Sequence, residues 1–94
     1  MEDSALVKKC LKGDARAQRA LFEKFAPKML GVCLRYAKNT EQAEDILQDG
    51  FVKVFTKLSN YSGNGSLEGW IRRIIINTAL DEIRRNVKFK DNIN

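Results

Sequence analysis

Apolar residues recur every three or four positions along almost all of this 94-residue chain, and only one Pro and six Gly interrupt them. From Ala43 onward, Ile46, Leu47, Gly50, Phe51, Val54, Phe55 and Leu58 fall with it on one broad arc at 100° per residue. Glu41, Glu44, Asp45, Gln48 and Asp49 fall on the opposite arc. The helical period holds on both sides of this segment, so the chain is read as all-α, a compact bundle of about four helices.

Breakers and caps divide the pattern. A first helix is expected from about Ser4, with Leu6, Val7, Cys10 and Leu11 on one face, ending at Gly13. Asp14 caps a second, carrying Leu21, Phe22 and Phe25, and Pro27 either kinks it or stands in the first turn of a continuation with Met29, Leu30, Cys33, Leu34 and Tyr36. Thr40 is the expected cap of a third, whose first residues Glu41 and Gln42 suit the positive end of the helix dipole. The third helix should close near Ser59, where SNYSGNGS forms the only loop-like cluster. Ser66 then caps a fourth, LEGWIRRIIINTALDEIRRNV, which is expected to fade into the polar stretch KFKDNIN. Gly50 lies on the packed arc of the third helix, where it would let a neighbouring helix approach closely. Trp70 and the stripe Ile71, Ile74, Ile75 and Thr78 read as core.

A length of 94 residues supports one small domain. No apolar run approaches the roughly 18 residues of a membrane span, and the N-terminus MEDSALVKKC lacks a signal pattern, so a cytosolic setting is expected. Cys10 and Cys33, with no His in the chain, read as buried thiols rather than a disulfide or zinc site. The net charge of +5 suits a polyanion, nucleic acid before membrane. Between Trp70 and Lys90 six basic residues stand against two acidic ones, which makes this the positive end of the protein.

Little here is arranged for catalysis. The acidic arc could be a solvated face, or Glu41-x-x-Glu44 could be half of the paired carboxylate turns with which all-α nucleotide pyrophosphohydrolases hold magnesium. No Glu-x-x-Asp follows it. Without His, a Cys cluster, a phosphate-cradling loop or a nucleophile beside a base, the chain reads as a binding module, not an enzyme, with no cofactor. Arg73, Asn77 and Arg84 share one face of the fourth helix, where they could reach phosphates or base edges. The preceding loop, with Asn60, Tyr61, Ser62, Gly63, Asn64 and Ser66, could wrap an extruded base or be an ordinary connector.

Three stretches together resemble region 2 of bacterial sigma factors, in the extracytoplasmic-function group. DILQDG, from Asp45 to Gly50, resembles the D-[IL]-x-Q-[ED]-G core-binding motif of the sigma-70 superfamily. SLEGWIRRIIINTALDEIRR is similar to F-x-x-W-L-x-x-I-A-x-N-x-x-x-D-x-x-R, matched by Trp70, Ile71, Ile74, Asn77, Asp81 and Arg84. KGDARAQRALFEKF resembles the group's G-D-x-x-A-x-x-x-L-[FY] opening. The match runs in order over nearly the whole chain, as a single region 2 domain over residues 1–94 whose last residues, about 86–94, begin a linker or tail.

The resemblance implies two partners in the bacterial cytoplasm. Asp45, Gln48 and Asp49 would pair with basic side chains on the clamp helices of the RNA polymerase β′ subunit. The loop Asn60, Tyr61, Ser62, Gly63 and Asn64 would hold a flipped base of the promoter −10 element, partly single-stranded, with Arg73 and Ile76 at its upstream edge. Asn77 and Arg84 would hold nearby DNA, with Arg85 and Lys88 as further phosphate contacts. The protein would thus be divided by charge, acidic toward the polymerase and basic toward the promoter. Gly69 stands before a single Trp70 where primary sigma factors carry a tryptophan pair that wedges the duplex, so melting would rely more on the loop. Region 4, which reads the −35 element in this family, has no counterpart within the chain, so an isolated or truncated domain is expected. The rival expectations are a module bound by an anti-sigma factor without productive DNA contact, and a basic helical domain binding nucleic acid without sequence preference.

Overall fold

Three side chains set where the longer helices begin. In the computed structural model, which describes the backbone of residues 2–93 and the side chains of residues 2–87, the helices are α1 (Asp3–Leu11), α2 (Ala15–Tyr36), α3 (Thr40–Lys57) and α4 (Leu67–Ile93), with a 3₁₀ turn at Leu58–Asn60 after α3. The Asp14 carboxylate accepts the N–H groups of Arg16 and Ala17 at 2.9 and 3.2 Å, opening α2. Ser66 Oγ accepts the Gly69 N–H at 2.9 Å and opens α4. The α3 cap is Asn39, not Thr40: Asn39 Oδ1 accepts the Gln42 N–H at 2.8 Å while Gln42 Oε1 reaches back to the Lys38 N–H at 2.7 Å. Two good capping residues stand side by side there, and the reciprocal Gln42 bond favours the earlier one.

Of the two readings open at Pro27 the single long helix is the one found, and the end of α4 differs from expectation. Pro27 does not divide α2, which runs through it as one helix of 22 residues. Pro27 removes one N–H from the ladder, but it and Glu23, whose carbonyl would have received that N–H, are both exposed, so water can take the place of the donor. Nor does α4 fade after Val87; no Gly or Pro follows, and the backbone stays helical to Ile93. Between α1 and α2 the chain closes in a Schellman arrangement. Gly13 at φ 84° donates to the Cys10 carbonyl at 3.0 Å, and Asp14 donates to the Lys9 carbonyl at 3.1 Å.

These short connections make α1 and α2, and then α2 and α3, antiparallel neighbours. Asp3 on α1 pairs with Lys24 on α2 at 2.6 Å, and the Phe22 ring of α2 meets that of Phe51 on α3 edge-on at 4.9 Å. The end of α1, the start of α2 and the end of α3 therefore gather at one end of the bundle, and α1 packs against the 3₁₀ turn there. Helix α4 crosses both α2 and α3; its 27 residues span about 40 Å, most of the molecule's 50 Å length. Glu68 ties its first turn to α2 through Lys28 at 3.0 Å and takes Arg72 at 3.7 Å.

The core is the intersection of the faces that periodicity marks: Leu21, Met29 and Cys33 from α2, Ile46 and Val54 from α3, Leu58, and Leu67, Ile71 and Ile75 from α4, all 2% exposed or less. Gly50 is buried where α3 meets α4, and a Cβ on it would collide with Ile75 Cδ1. Trp70 and Ile74 depart from the expected core stripe, both being half-buried at the edge of the core. The Trp70 ring packs against the core on one side and leans on Tyr61 at 5.5 Å between centroids.

Cys10 and Cys33 are buried free thiols. Burial pushes the Cys33 thiol up from 9.0 to about 11 and raises Cys10 in the same direction. The unfolded chain ionises first, so the stability these thiols contribute is full below pH 9.0 and is lost as pH rises toward about 11. The urea midpoint is expected to drop across that window more in the wild type than in Cys33→Ala, as followed by far-UV circular dichroism; equal drops would exclude a thiol contribution.

Candidate functional site

On α3 the residues that do not pack make a continuous outward face. Glu41, Glu44, Asp45, Gln48 and Asp49 are all exposed, while Ala43, Ile46, Leu47, Gly50, Phe51 and Val54 are buried behind them. Asp45, Gln48 and Asp49 stand three and four residues apart and so share one ridge of the helix. Among the described residues none of the four acids on this helix takes part in an ion pair, whereas Asp3, Glu68, Asp81 and Glu82 each do. No ion pair offsets the mutual repulsion of these acids, and only Asp49 shares a groove with cations, Lys53, Arg84 and Arg85. A cationic partner offers that compensation, and the rigid helix presents the carboxylates already aligned.

The loop after the 3₁₀ turn is closed on itself. The Tyr61 hydroxyl donates to the Gly65 carbonyl at 2.8 Å, and the Asn64 N–H donates to Ser62 Oγ at 3.2 Å. Gly63 and Gly65 take φ of 85° and 76°, a region that side chains disfavour, so this ring of backbone needs glycine at both positions. Asn60, Ser62, Gly63 and Asn64 are exposed on it, while Tyr61 is half-buried with its ring on Trp70. Tyr61 thus holds the loop to the first turns of α4, leaving the exposed side-chain amides of Asn60 and Asn64 and the O–H of Ser62, whose oxygen accepts from Asn64, to face a ligand.

Along α4, Arg73, Asn77, Arg84 and Arg85 are exposed and Ile76 is half-buried against the core. Arg73 is in no ion pair among the described residues, whereas Arg84 lies 3.5 Å from Asp81 and Arg85 2.6 Å from Glu82. Both arginine side chains remain well exposed, so these pairs hold them weakly and leave them available to phosphate. The Lys88 side chain lies outside the described residues. Asp49, Arg84 and Arg85 line one groove between α3 and α4 with Val52 and Val87, so the acidic and basic surfaces meet there instead of being fully separated.

A second cationic area, on α1 and the start of α2, escapes a reading centred on α4. Lys8, Lys9, Lys12, Arg16 and Arg19 are all exposed. The signal was available as a run of basic residues with Asp14 alone between them. Among the described residues no three His, Cys, Asp or Glu side chains converge as a cation site, and no helix is long and apolar enough to cross a membrane.

Residues 21–89 match the family model described as Sigma-70 region 2. Among curated proteins, the RNA polymerase sigma-H factor of Pseudomonas aeruginosa is 34% identical over 82 residues, which is 87% of this chain and 42% of that protein. The ECF RNA polymerase sigma factor SigW of Bacillus subtilis is 29% identical over 79 residues, 84% of this chain and 42% of its own length. The chain therefore spans about two fifths of the length of the curated relatives it matches. Among solved structures, an engineered region 2 of sigmaE in complex with GTAAAA superposes with a TM-score of 0.84 at 26% identity, covering 94% of this chain and 92% of that one.

Proposed function

The chain belongs to the sigma-70 region 2 family, in its extracytoplasmic-function group, and from that premise we propose that it serves transcription initiation by joining RNA polymerase to the promoter −10 element. The observation that carries the reading is the closed glycine loop at the head of the basic helix α4, on the same small scaffold as the exposed acidic face of α3. Asp45, Gln48 and Asp49 would dock on the basic clamp helices of the β′ subunit. Asn60, Ser62 and Asn64 would surround one base of the non-template strand, with Tyr61 and Gly63 holding the ring that receives it. Arg73, Asn77, Arg84 and Arg85 would take phosphates along α4, with Ile76 against a base or sugar and Lys88 continuing the line. It carries out no catalysis.

A preformed loop suits base capture because the ordering cost falls on folding and not on binding. Extruding a base costs a few kcal/mol, which contacts in the loop must offset, so sequence is read at the step of opening. Trp70, whose ring leans on Tyr61, would brace the loop and leave melting to it. The superposed region 2 of sigmaE, described in complex with GTAAAA, supports the expectation that an isolated domain of this type takes a short strand.

The test is binding of single-stranded GTAAAA and its single-base variants across a salt series. The wild type should discriminate at one or two positions by about 1 to 3 kcal/mol each, and Asn64→Ala should lose discrimination at one of them. Equal affinity for every sequence, with the salt slope accounting for all of it, would refute base readout.

A second reading, a regulator bound in place of the polymerase, draws on the groove between α3 and α4, where Val52 and Val87 are 62% and 54% exposed. A partner that binds the wild type but not Val52→Asp, and competes with the clamp helices, would favour it.

A further inference from the structure

We propose that the corner between α1 and α2 is a second nucleic-acid contact, taking the sugar–phosphate backbone of the strand as it leaves the loop; this rests on the loop reading given above. Lys8, Lys9 and Lys12 from the end of α1 and Arg16 and Arg19 from the start of α2 are exposed, and none is in an ion pair among the described residues. The Schellman turn at Gly13 folds the two helix ends beside each other, so the five cations belong to adjoining helix ends, and Lys9 and Arg16 border one groove. The single carboxylate between them, Asp14, is engaged as the α2 cap.

Two further features fit a strand. A groove of about 510 Å³ is lined by Lys9, Arg16 and Lys24 with Leu6, Ala17 and Ala20; the capping carboxylate of Asp14 also borders it and Lys24 is held by Asp3 at 2.6 Å, so among the described residues Lys9 and Arg16 are its unpaired cations. Cations beside apolar surface match the alternation of phosphate and sugar along a backbone. The corner also stands at the end of the bundle where α1 packs on the 3₁₀ turn that leads into the loop. That contact puts the corner and the loop on neighbouring parts of the surface, which one strand could span. The acidic face of α3 already provides for a basic protein partner, so the cations here suit the polyanion.

The experiment uses the whole chain, single-stranded GTAAAA, and the same hexamer extended by four thymidines at either end. In the wild type an extension at one end is expected to tighten binding and to steepen the salt slope by about 2, the contribution of some three phosphates on a single strand. Its advantage should then shrink about 15-fold between 50 and 200 mM salt. The triple variant Lys9→Gln, Lys12→Gln, Arg16→Gln should lose both effects while keeping its circular dichroism and its base discrimination on the hexamer. No gain from either extension, or a gain the variant retains, would overturn the proposal. So would tighter binding of a deca-glutamate peptide than of the extended strand, lost in the variant, since that would mark the corner as a site for an acidic protein segment. A hexamer read without base preference, but with a corner-dependent gain on extension, would support the corner and refute the loop reading alone.

Discussion

Reversing Asp45 and Asp49 to Lys is expected to weaken binding to the β′ clamp helices by 2 kcal/mol or more, roughly 30-fold upward, at constant fold. The magnitude follows from what the carboxylates become in the complex. Exposed on the free domain, they have no partner to lose, and surface substitutions of this kind typically shift stability by no more than about 0.5 kcal/mol. In an interface each would sit against a cation, and reversal both deletes an attraction and places like charges together. The predicted signature is therefore a large effect on association beside an unchanged melting temperature. Titration of a β′ clamp-helix fragment measures the first and a thermal scan the second.

Gln48 sharpens this expectation. It shares the ridge with Asp45 and Asp49 but carries no charge, so Gln48→Ala should lower affinity with little change in salt dependence, while the acid reversals should flatten that dependence. Reversal of Glu41 and Glu44 is the comparison. These two extend the same solvent face toward the start of α3, and a purely long-range field would respond to them as strongly as to Asp45 and Asp49. Contact specificity predicts a smaller effect. Clamp affinity unchanged by the Asp45 and Asp49 reversal would remove the polymerase assignment of this face.

Much of this architecture was legible because it is set by short-range chemistry. Asp14 and Ser66 cap the helices they precede, and the apolar arc from Ala43 to Leu58 is the buried one. Pro27 was ambiguous because a proline inside a helix costs least where a freed carbonyl can meet water, and exposure at Glu23 is a property of the fold and not of the local sequence. The orientation of Trp70 was hidden for a related reason. An indole at helical spacing reads as core, yet its companion, Tyr61, lies nine positions earlier across a loop whose closure depends on the left-handed turns of Gly63 and Gly65. For the site, the acidic ridge of α3 followed from periodicity alone, whereas the α1–α2 cations became a cluster only once the Gly13 turn folded them together.

Gly50→Leu should cost about 3 kcal/mol and lower the melting temperature by roughly 12–24 °C. Gly50 marks where α3 and α4 come close: a Cβ there would lie 3.7 Å from both the Cα and Cγ1 of Ile75 and would collide with its Cδ1. Ile75 has no exposure and nowhere to retreat, so a branched side chain at position 50 must push the two helices apart. Gly50→Ala sets helix propensity, a gain of about 1 kcal/mol, against the displacement of Cδ1 from its rotamer, a loss of about 0.5 to 1.5 kcal/mol, and should come out near neutral. Gly31 is the control. It is exposed within α2 with nothing within 4 Å of its would-be Cβ, so Gly31→Ala should realise the propensity gain of about 1 kcal/mol in full. Urea unfolding of the three variants separates the cases. If Gly50→Leu unfolds with the wild type, α3 and α4 do not make this contact, and the fixed placement of the acidic ridge relative to the basic helix goes with it.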